Sequence, residues 1–190
     1  MIIKPQTDPF PYLLIDEYFS QEELAEVMTE IMALKPYAGG AEESGAMPHA
    51  KSGSGLFLDV LFHNKRHLSR VLELNRKIYN QEIIDAAEQT SVFYRHIGRV
   101  NKDISVINFY HDSEEYHSHH DKNTISTVWF ARVGNITGGE FEFTQDHCKI
   151  DSTHNRMVIF PGCVDHKVHP VYSNDGGYRV SMAQFLCYKN

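Results

Sequence analysis

Near Phe93 the apolar spacing of this chain changes period, and that change limits the possible folds more than any other feature. Downstream lie short strand-like runs at residues 104–110, 116–121, 126–133, 140–144, 156–160, 164–171 and 178–188. Turn formers separate several of them: Asp112-Ser113, Gly138-Gly139, Pro161-Gly162 and the stretch 174–177, Asn-Asp-Gly-Gly. A short strand cannot bury its apolar face alone, so a series of them closes into a sandwich or a barrel. Upstream the spacing is helical. Ser20 followed by Glu23 is a capping-box pattern. Leu24, Val27, Met28, Ile31 and Leu34 then share one helix face, and Pro36 ends it. Residues 9–19 read as one buried strand, 56–62 as an ordered apolar run, and 65–80 and 81–89 as helical pieces whose Lys and Arg form a solvated face. Residues 37–55, rich in Gly, Ser and Ala, read as a long loop, either a lid or a surface excursion. The expected fold is therefore mainly β with N-terminal helices (α+β), one domain over residues 1–190. Its helical part spans about 1–92 and its β-core about 93–190.

A chain of 190 residues is long enough to bury a real core. Its net charge of -7 argues against a nucleic-acid partner. No run of eighteen apolar residues occurs, so a membrane span is not expected. The first nineteen residues lack the basic-then-apolar order of a secretory signal. Three cysteines, an odd number without a CxxC, point to reduced thiols and a cytoplasmic setting.

Histidine is the outlier: eight of twelve fall between His111 and His169. Within YHDSEEYHSHHD, residues 110–121, a strand would put His117, His119 and Asp121 on one face and His120 on the other. Such spacing allows a metal to be gripped by His117 and His119, by His119 and Asp121, or by all three. Taken alone, an HxD is better read as a hydrogen-bonded pair at a polar strand end. His166 enters a later strand and can approach this face if the sheets close, while His169 points the other way. Two imidazoles and a carboxylate on one side of an iron leave positions open for small molecules, the arrangement of non-haem Fe(II) oxygenases. Arg179 and Ser181 share one face of the last strand, and a guanidinium there offers paired donors to a carboxylate.

In their order along the chain these elements resemble the iron(II)- and 2-oxoglutarate-dependent oxygenases, specifically the prolyl 4-hydroxylase-like group. The resemblance rests on Tyr110, Tyr116 and His119-x-Asp121, on Gly138-Gly139-Glu140-Phe141 with Phe143, on His166 with Pro170-Val171, and on Gly177-Tyr178-Arg179-Val180-Ser181. The N-terminal PYLLIDEYFSQEEL is similar to the strand and helix that begin these domains. The resemblance implies a double-stranded β-helix (jelly-roll) core. It selects His119, Asp121 and His166 as Fe(II) ligands and leaves His117 and His120 as neighbours. It implies that Arg179 holds the distal carboxylate of 2-oxoglutarate, with Tyr110 and, less directly, Ser181 or Thr127 assisting. Tyr116 and Trp129 are expected to line the substrate side, although core packing also suits Trp129. The implied reaction hydroxylates an unactivated C–H bond, first of all in a prolyl residue of a peptide or protein. It consumes O2 and 2-oxoglutarate and releases succinate and CO2, with ascorbate as the expected reductant. Two other readings stand beside it. One is a cupin-type metal enzyme built on His117-x-His119, which leaves Arg179 unexplained. The other is a non-catalytic binding domain on the same fold.

Overall fold

The structure, a computed structural model, describes residues 1–47 and 49–188. Two strands, β1 (Ile2–Gln6) and β2 (Tyr12–Asp16), pair antiparallel and precede the first helix, α1 (Gln21–Leu34). Ser20 caps α1 as expected: its hydroxyl accepts the Glu23 N–H at 3.2 Å, and the Glu23 carboxylate accepts the Ser20 N–H at 2.8 Å. Val27 and Ile31 are buried, and Leu24, Met28 and Leu34 pack beside them. The helix gives way before Pro36 to a 3-10 turn, Lys35–Tyr37.

The described residues of the 37–55 stretch depart from expectation. They are not structureless: a 3-10 turn forms at Glu42–Ser44, and Gly39 and Gly55 exchange backbone hydrogen bonds. Ala50 and Ser52 bond to the backbone of His117 and Glu115. The segment then runs into β3 (Ser54–Phe57) and a helical turn, α2 (Leu58–Leu61). Hydrogen bonds made far away in sequence order this stretch, and no local periodicity announces them.

Residues 65–80 also differ from one regular helix. They break into Arg66–Leu68 (3-10), α3 (Arg70–Asn75, capped by Ser69) and Arg76–Tyr79 (3-10), followed by α4 (Gln81–Thr90). The basic residues are not simply a solvated face. Arg66 and Arg76 both bind the buried Asp103, at 2.6 and 2.7 Å, and Lys77 binds Glu23 at 2.6 Å.

The core strands are β4 (Lys102–Tyr110), β5 (Tyr116–His119), β6 (Ile125–Val133), β7 (Thr137–Gly138), β8 (Phe141–Phe143), β9 (Cys148–Ile150), β10 (Arg156–Pro161), β11 (His166–Val168), β12 (Val171–Tyr172) and β13 (Tyr178–Cys187). They form a seven-stranded sheet in the order β1-β2-β10-β6-β13-β4-β3, a four-stranded sheet β5-β11-β8-β9, and a small pair β12-β7. The N-terminal part, expected to be chiefly helical, thus supplies three strands to the large sheet. Alternation along its strands builds two apolar layers. Trp129, Met157, Ile159, Val180 and Met182 meet the helices. Phe130, Val158, Phe160 and Ala183 face Phe141 and Phe143 of the small sheet. This is the jelly roll, and its inter-sheet space holds the chemistry. Among the described residues no helix is long and apolar enough to cross a membrane.

Candidate metal centre and cosubstrate anchor

His119 ends β5 and His166 begins β11, and the two are register partners across an antiparallel pair. Asp121 lies beyond the end of β5, which corrects the expectation that one strand carries both members of the HxD. Two tethers bring its carboxylate back: the Asp121 N–H donates to the Gly162 carbonyl at 2.8 Å, and the Ser126 hydroxyl donates to Oδ2. One ligand atom from each of His119, Asp121 and His166 lies within 4.8 Å of the others. His166 Nε2 stands 3.8 Å from Asp121 Oδ2, and the imidazole centroids are 4.3 Å apart.

The backbone settles which nitrogen of each imidazole is free. His119 Nδ1 lies 2.8 Å from the His117 carbonyl, and His166 Nδ1 lies 2.9 Å from the Val164 carbonyl. A carbonyl only accepts, so each Nδ1 carries the proton and each Nε2 presents a lone pair. Tyr116 stacks on His119 at 3.7 Å, and Phe141 stacks on His166 at 5.3 Å, which fixes the ring planes. Burial holds both imidazoles down at about 4, with the His166 ring lowering His119 further. Burial also raises the Asp121 carboxyl. Two neutral imidazoles beside a carboxylate short of solvation are what a divalent cation relieves, so the donor set fits iron. His117 and His120 stand outside the cluster: His117 Nε2 meets Glu115 at 3.4 Å and His120 Nδ1 meets Asp165 at 3.2 Å. The HxH grip of the cupin reading is therefore not formed.

Arg179 is fully buried on the inter-sheet face of β13, with Tyr110 as its register partner on β4. Its Nε donates to Ser152 Oγ at 2.9 Å, and that hydroxyl donates to the Gly139 carbonyl. Both Nη1 and Nη2 are buried without a partner among the described residues. Burial lowers this guanidinium to about 10, so it remains a cation at neutral pH. A buried, half-satisfied guanidinium is costly, and a carboxylate accepting from both terminal nitrogens removes the cost. The residues present thus fit a carboxylate ligand at Arg179. Gly139 explains part of the Gly-Gly motif. Its φ is +71°, and a Cβ there would come within 2.9 Å of Arg179 Cδ.

A cavity of about 690 Å³ opens onto the metal cluster, lined by Tyr110, Tyr116, His119, Asp121, His166 and Ser181 among others. A larger hollow of about 840 Å³ lies at Asp59, Arg66, Arg76 and Asp103, away from the cluster, and its arginines are already tied to those carboxylates. Tyr110, Tyr116 and Ser181 thus stand at the site. Thr127 and Trp129 do not. They alternate with Ser126, Val128 and Phe130 on β6 and face the helices, where Trp129 donates to Asn155 at 3.1 Å. Both assignments are corrected, since the period of two gives the inward position to Ser126. Strand alternation carries that signal, if the ring of Phe130 is taken as inward. Ser152 follows β9 within no motif and has no sequence signal.

The sequence matches the family model of the 2OG-Fe(II) oxygenase superfamily over residues 105–187. No curated protein sequence matches. Among solved structures, a Pseudomonas putida prolyl-4-hydroxylase is 14% identical with a TM-score of 0.64, covering 94% of this chain and 93% of its own. A Trichoplax adhaerens prolyl hydroxylase, in complex with a hypoxia inducible factor oxygen degradation domain peptide fragment, is 12% identical with a TM-score of 0.65, covering 93% and 83%. A Burkholderia pseudomallei oxidoreductase of the 2OG-Fe(II) oxygenase family is 16% identical with a TM-score of 0.59, covering 94% and 86%. At such identities the likeness is one of fold. By sequence across its β-core and by fold over nearly its whole length, the chain resembles the 2OG-Fe(II) oxygenases, and within them the prolyl 4-hydroxylase-like group.

Proposed function

We propose that this protein is an Fe(II)- and 2-oxoglutarate-dependent dioxygenase that hydroxylates an unactivated C–H bond, with a prolyl residue in a peptide or protein as the first candidate substrate. The observation that carries the reading is one inter-sheet space walled by both a His119–Asp121–His166 cluster and a buried guanidinium with two unpaired nitrogens. Iron, when bound, supplies O2 activation coupled to the oxidative decarboxylation of 2-oxoglutarate to succinate and CO2. The chain does the rest. His119 and His166 present fixed Nε2 lone pairs, Ser126 orients the Asp121 carboxylate, and Arg179 with Tyr110 holds the cosubstrate's far end. Phe141 and Phe160 keep the metal side dry. Tyr116 borders the cavity from which the substrate approaches. Ascorbate is the proposed reductant. The compartment we propose is a reducing, cytoplasm-like one, in which Cys148, Cys163 and Cys187 stay free thiols. A peptide substrate draws support from the Trichoplax structure, which holds a peptide.

The test is a screen of prolyl peptides and small metabolites with iron, 2-oxoglutarate and ascorbate, read by succinate formation and by a mass gain of one oxygen. The expected result is substrate-dependent succinate that disappears in Asp121→Ala. Peptide binding without succinate from any compound would instead support a non-catalytic binding domain.

A further inference from the structure

Lys51 is 4% exposed, yet among the described residues no carboxylate lies within ion-pair distance of its ammonium. Its Nζ donates to two neutral oxygens, Ser44 Oγ and Asn108 Oδ1, each at 2.6 Å. Gly55, the register partner of Asn108 across β3 and β4, leaves the room: a Cβ there would stand 2.8 Å from both Lys51 Nζ and Asn108 Oδ1. Burial lowers this lysine to about 7.

The contact fixes Asn108. The two ends of an amide are easily interchanged, but only the oxygen can face an ammonium. The Nδ2 end therefore turns away from Lys51. Asn108 lines the cavity that holds the metal cluster, beside its register partner Ser181 on β13. Its Nδ2 has no acceptor among the described residues, and it is not closed off as the Arg179 nitrogens are. The Nδ2 end, on the far side of the amide from Lys51, is therefore the donor that Asn108 has left to offer to the cavity it lines. Ser44 cannot take the same part, because its proton goes to the Ala41 carbonyl at 2.9 Å.

The charge of the site indicates what this donor takes. With a divalent metal and a dianionic cosubstrate bound, Asp121 and Arg179 would bring the sum to zero; Lys51 in its protonated form adds one positive charge, which Glu114 reaches only from beyond ion-pair distance. Asp165, the other carboxylate at the cavity, is held by His120 and Gln145. The two cations also lie at one ring: Tyr110 is 5.3 Å from Arg179 Cζ and 5.8 Å from Lys51 Nζ.

We infer that Asn108, oriented by Lys51, is a substrate-binding donor whose ligand is a carboxylate of the substrate, from an acidic peptide residue or from a small carboxylic acid. This rests on the reading of the site as an Fe(II) and 2-oxoglutarate centre. Asn108→Asp is the sharpest variant. It keeps the oxygen that Lys51 binds and replaces the cavity-facing donor with a second acceptor. Asn108→Leu removes both.

The experiment is calorimetric titration of protein loaded with Mn(II) and 2-oxoglutarate. One pair of probes is N-acetylproline and its amide. The other is a blocked Ala-Pro-Asp peptide and its Ala-Pro-Asn counterpart. In the wild type, one acid is expected to bind at least tenfold tighter than its neutral partner, and the pair that shows this names the source. The preference should vanish in Asn108→Asp and Asn108→Leu, while 2-oxoglutarate and Mn(II) bind as in the wild type. The inference is overturned if neither acid is preferred, if the preference survives Asn108→Asp, or if that variant loses 2-oxoglutarate as Arg179→Ala does. Repeating the titrations without Mn(II) and 2-oxoglutarate separates the two proposals. An acid preference without any 2-oxoglutarate binding would remove the cosubstrate reading and keep the anion site.

Discussion

Arg179 shows most directly that single residues here are shaped for a ligand rather than for stability. Its terminal nitrogens are buried and unpaired, an arrangement that costs free energy until an anion arrives. Arg179→Met should therefore raise the thermal midpoint of the ligand-free protein. It should also weaken 2-oxoglutarate by about 2–5 kcal/mol, the range for truncating one partner of a buried charge pair. Thermal unfolding and equilibrium binding check the two halves separately. His119 and His166 predict a pH dependence. Burial holds both near 4 in the fold, while an unfolded imidazole titrates near its ordinary value of 6.5. Between these values the unfolded chain binds protons that the folded one refuses, so folding stability is fully present above pH 6.5 and is lost as pH falls toward 4. The raised Asp121 carboxyl works in the opposite direction, one group against two. The urea midpoint of metal-free protein should fall steadily from pH 7 to pH 4.5, and bound Mn(II), which keeps both imidazoles unprotonated, should raise the midpoint without flattening the fall.

Among the elements, the turn between β7 and β8 matters because it lets the last strand's arginine fit. Gly139→Ala places a Cβ against Arg179 Cδ at a backbone angle that disfavours side chains. The expected result is weaker 2-oxoglutarate binding with metal affinity retained, measurable by titrating each in turn. This element was legible in the sequence as a Gly-Gly-Glu motif, and so was the start of α1, because a capping box is a local device. The metal ligands were legible as spacing, but the spacing did not choose among His117, His119 and Asp121. The choice comes from Gly162 and Ser126 pulling Asp121 inward and from Glu115 holding His117 outward. Thr127 and Trp129 were misplaced because a run buried on both faces gives no polar alternation to mark the inward side. Lys51, Asn108 and Ser152 carried no motif at all. Their roles exist only through contacts between strands far apart in sequence.

In the whole molecule, the two sheets of the jelly roll do different work. The large sheet packs its outer face on the helices and offers Asn108, Tyr110, Arg179 and Ser181 on its inner face. The small sheet brings His119 and His166 across from it as register partners. The His–Asp–His cluster and the buried guanidinium therefore come from opposite walls, and closing the sheets brings them into one inter-sheet space. The period change near Phe93 foretold this closure but not the three strands that the N-terminal part adds to the large sheet. The central claim we propose is that the inter-sheet space holds iron through His119, Asp121 and His166 and 2-oxoglutarate through Arg179. The most direct measurement is an anaerobic titration of 2-oxoglutarate into Fe(II)-loaded protein, followed by visible absorption. The account predicts a charge-transfer band in the wild type, its loss in Asp121→Ala, and its appearance only at far higher 2-oxoglutarate in Arg179→Ala. Absence of the band in the wild type, or its persistence in Asp121→Ala, would contradict the account.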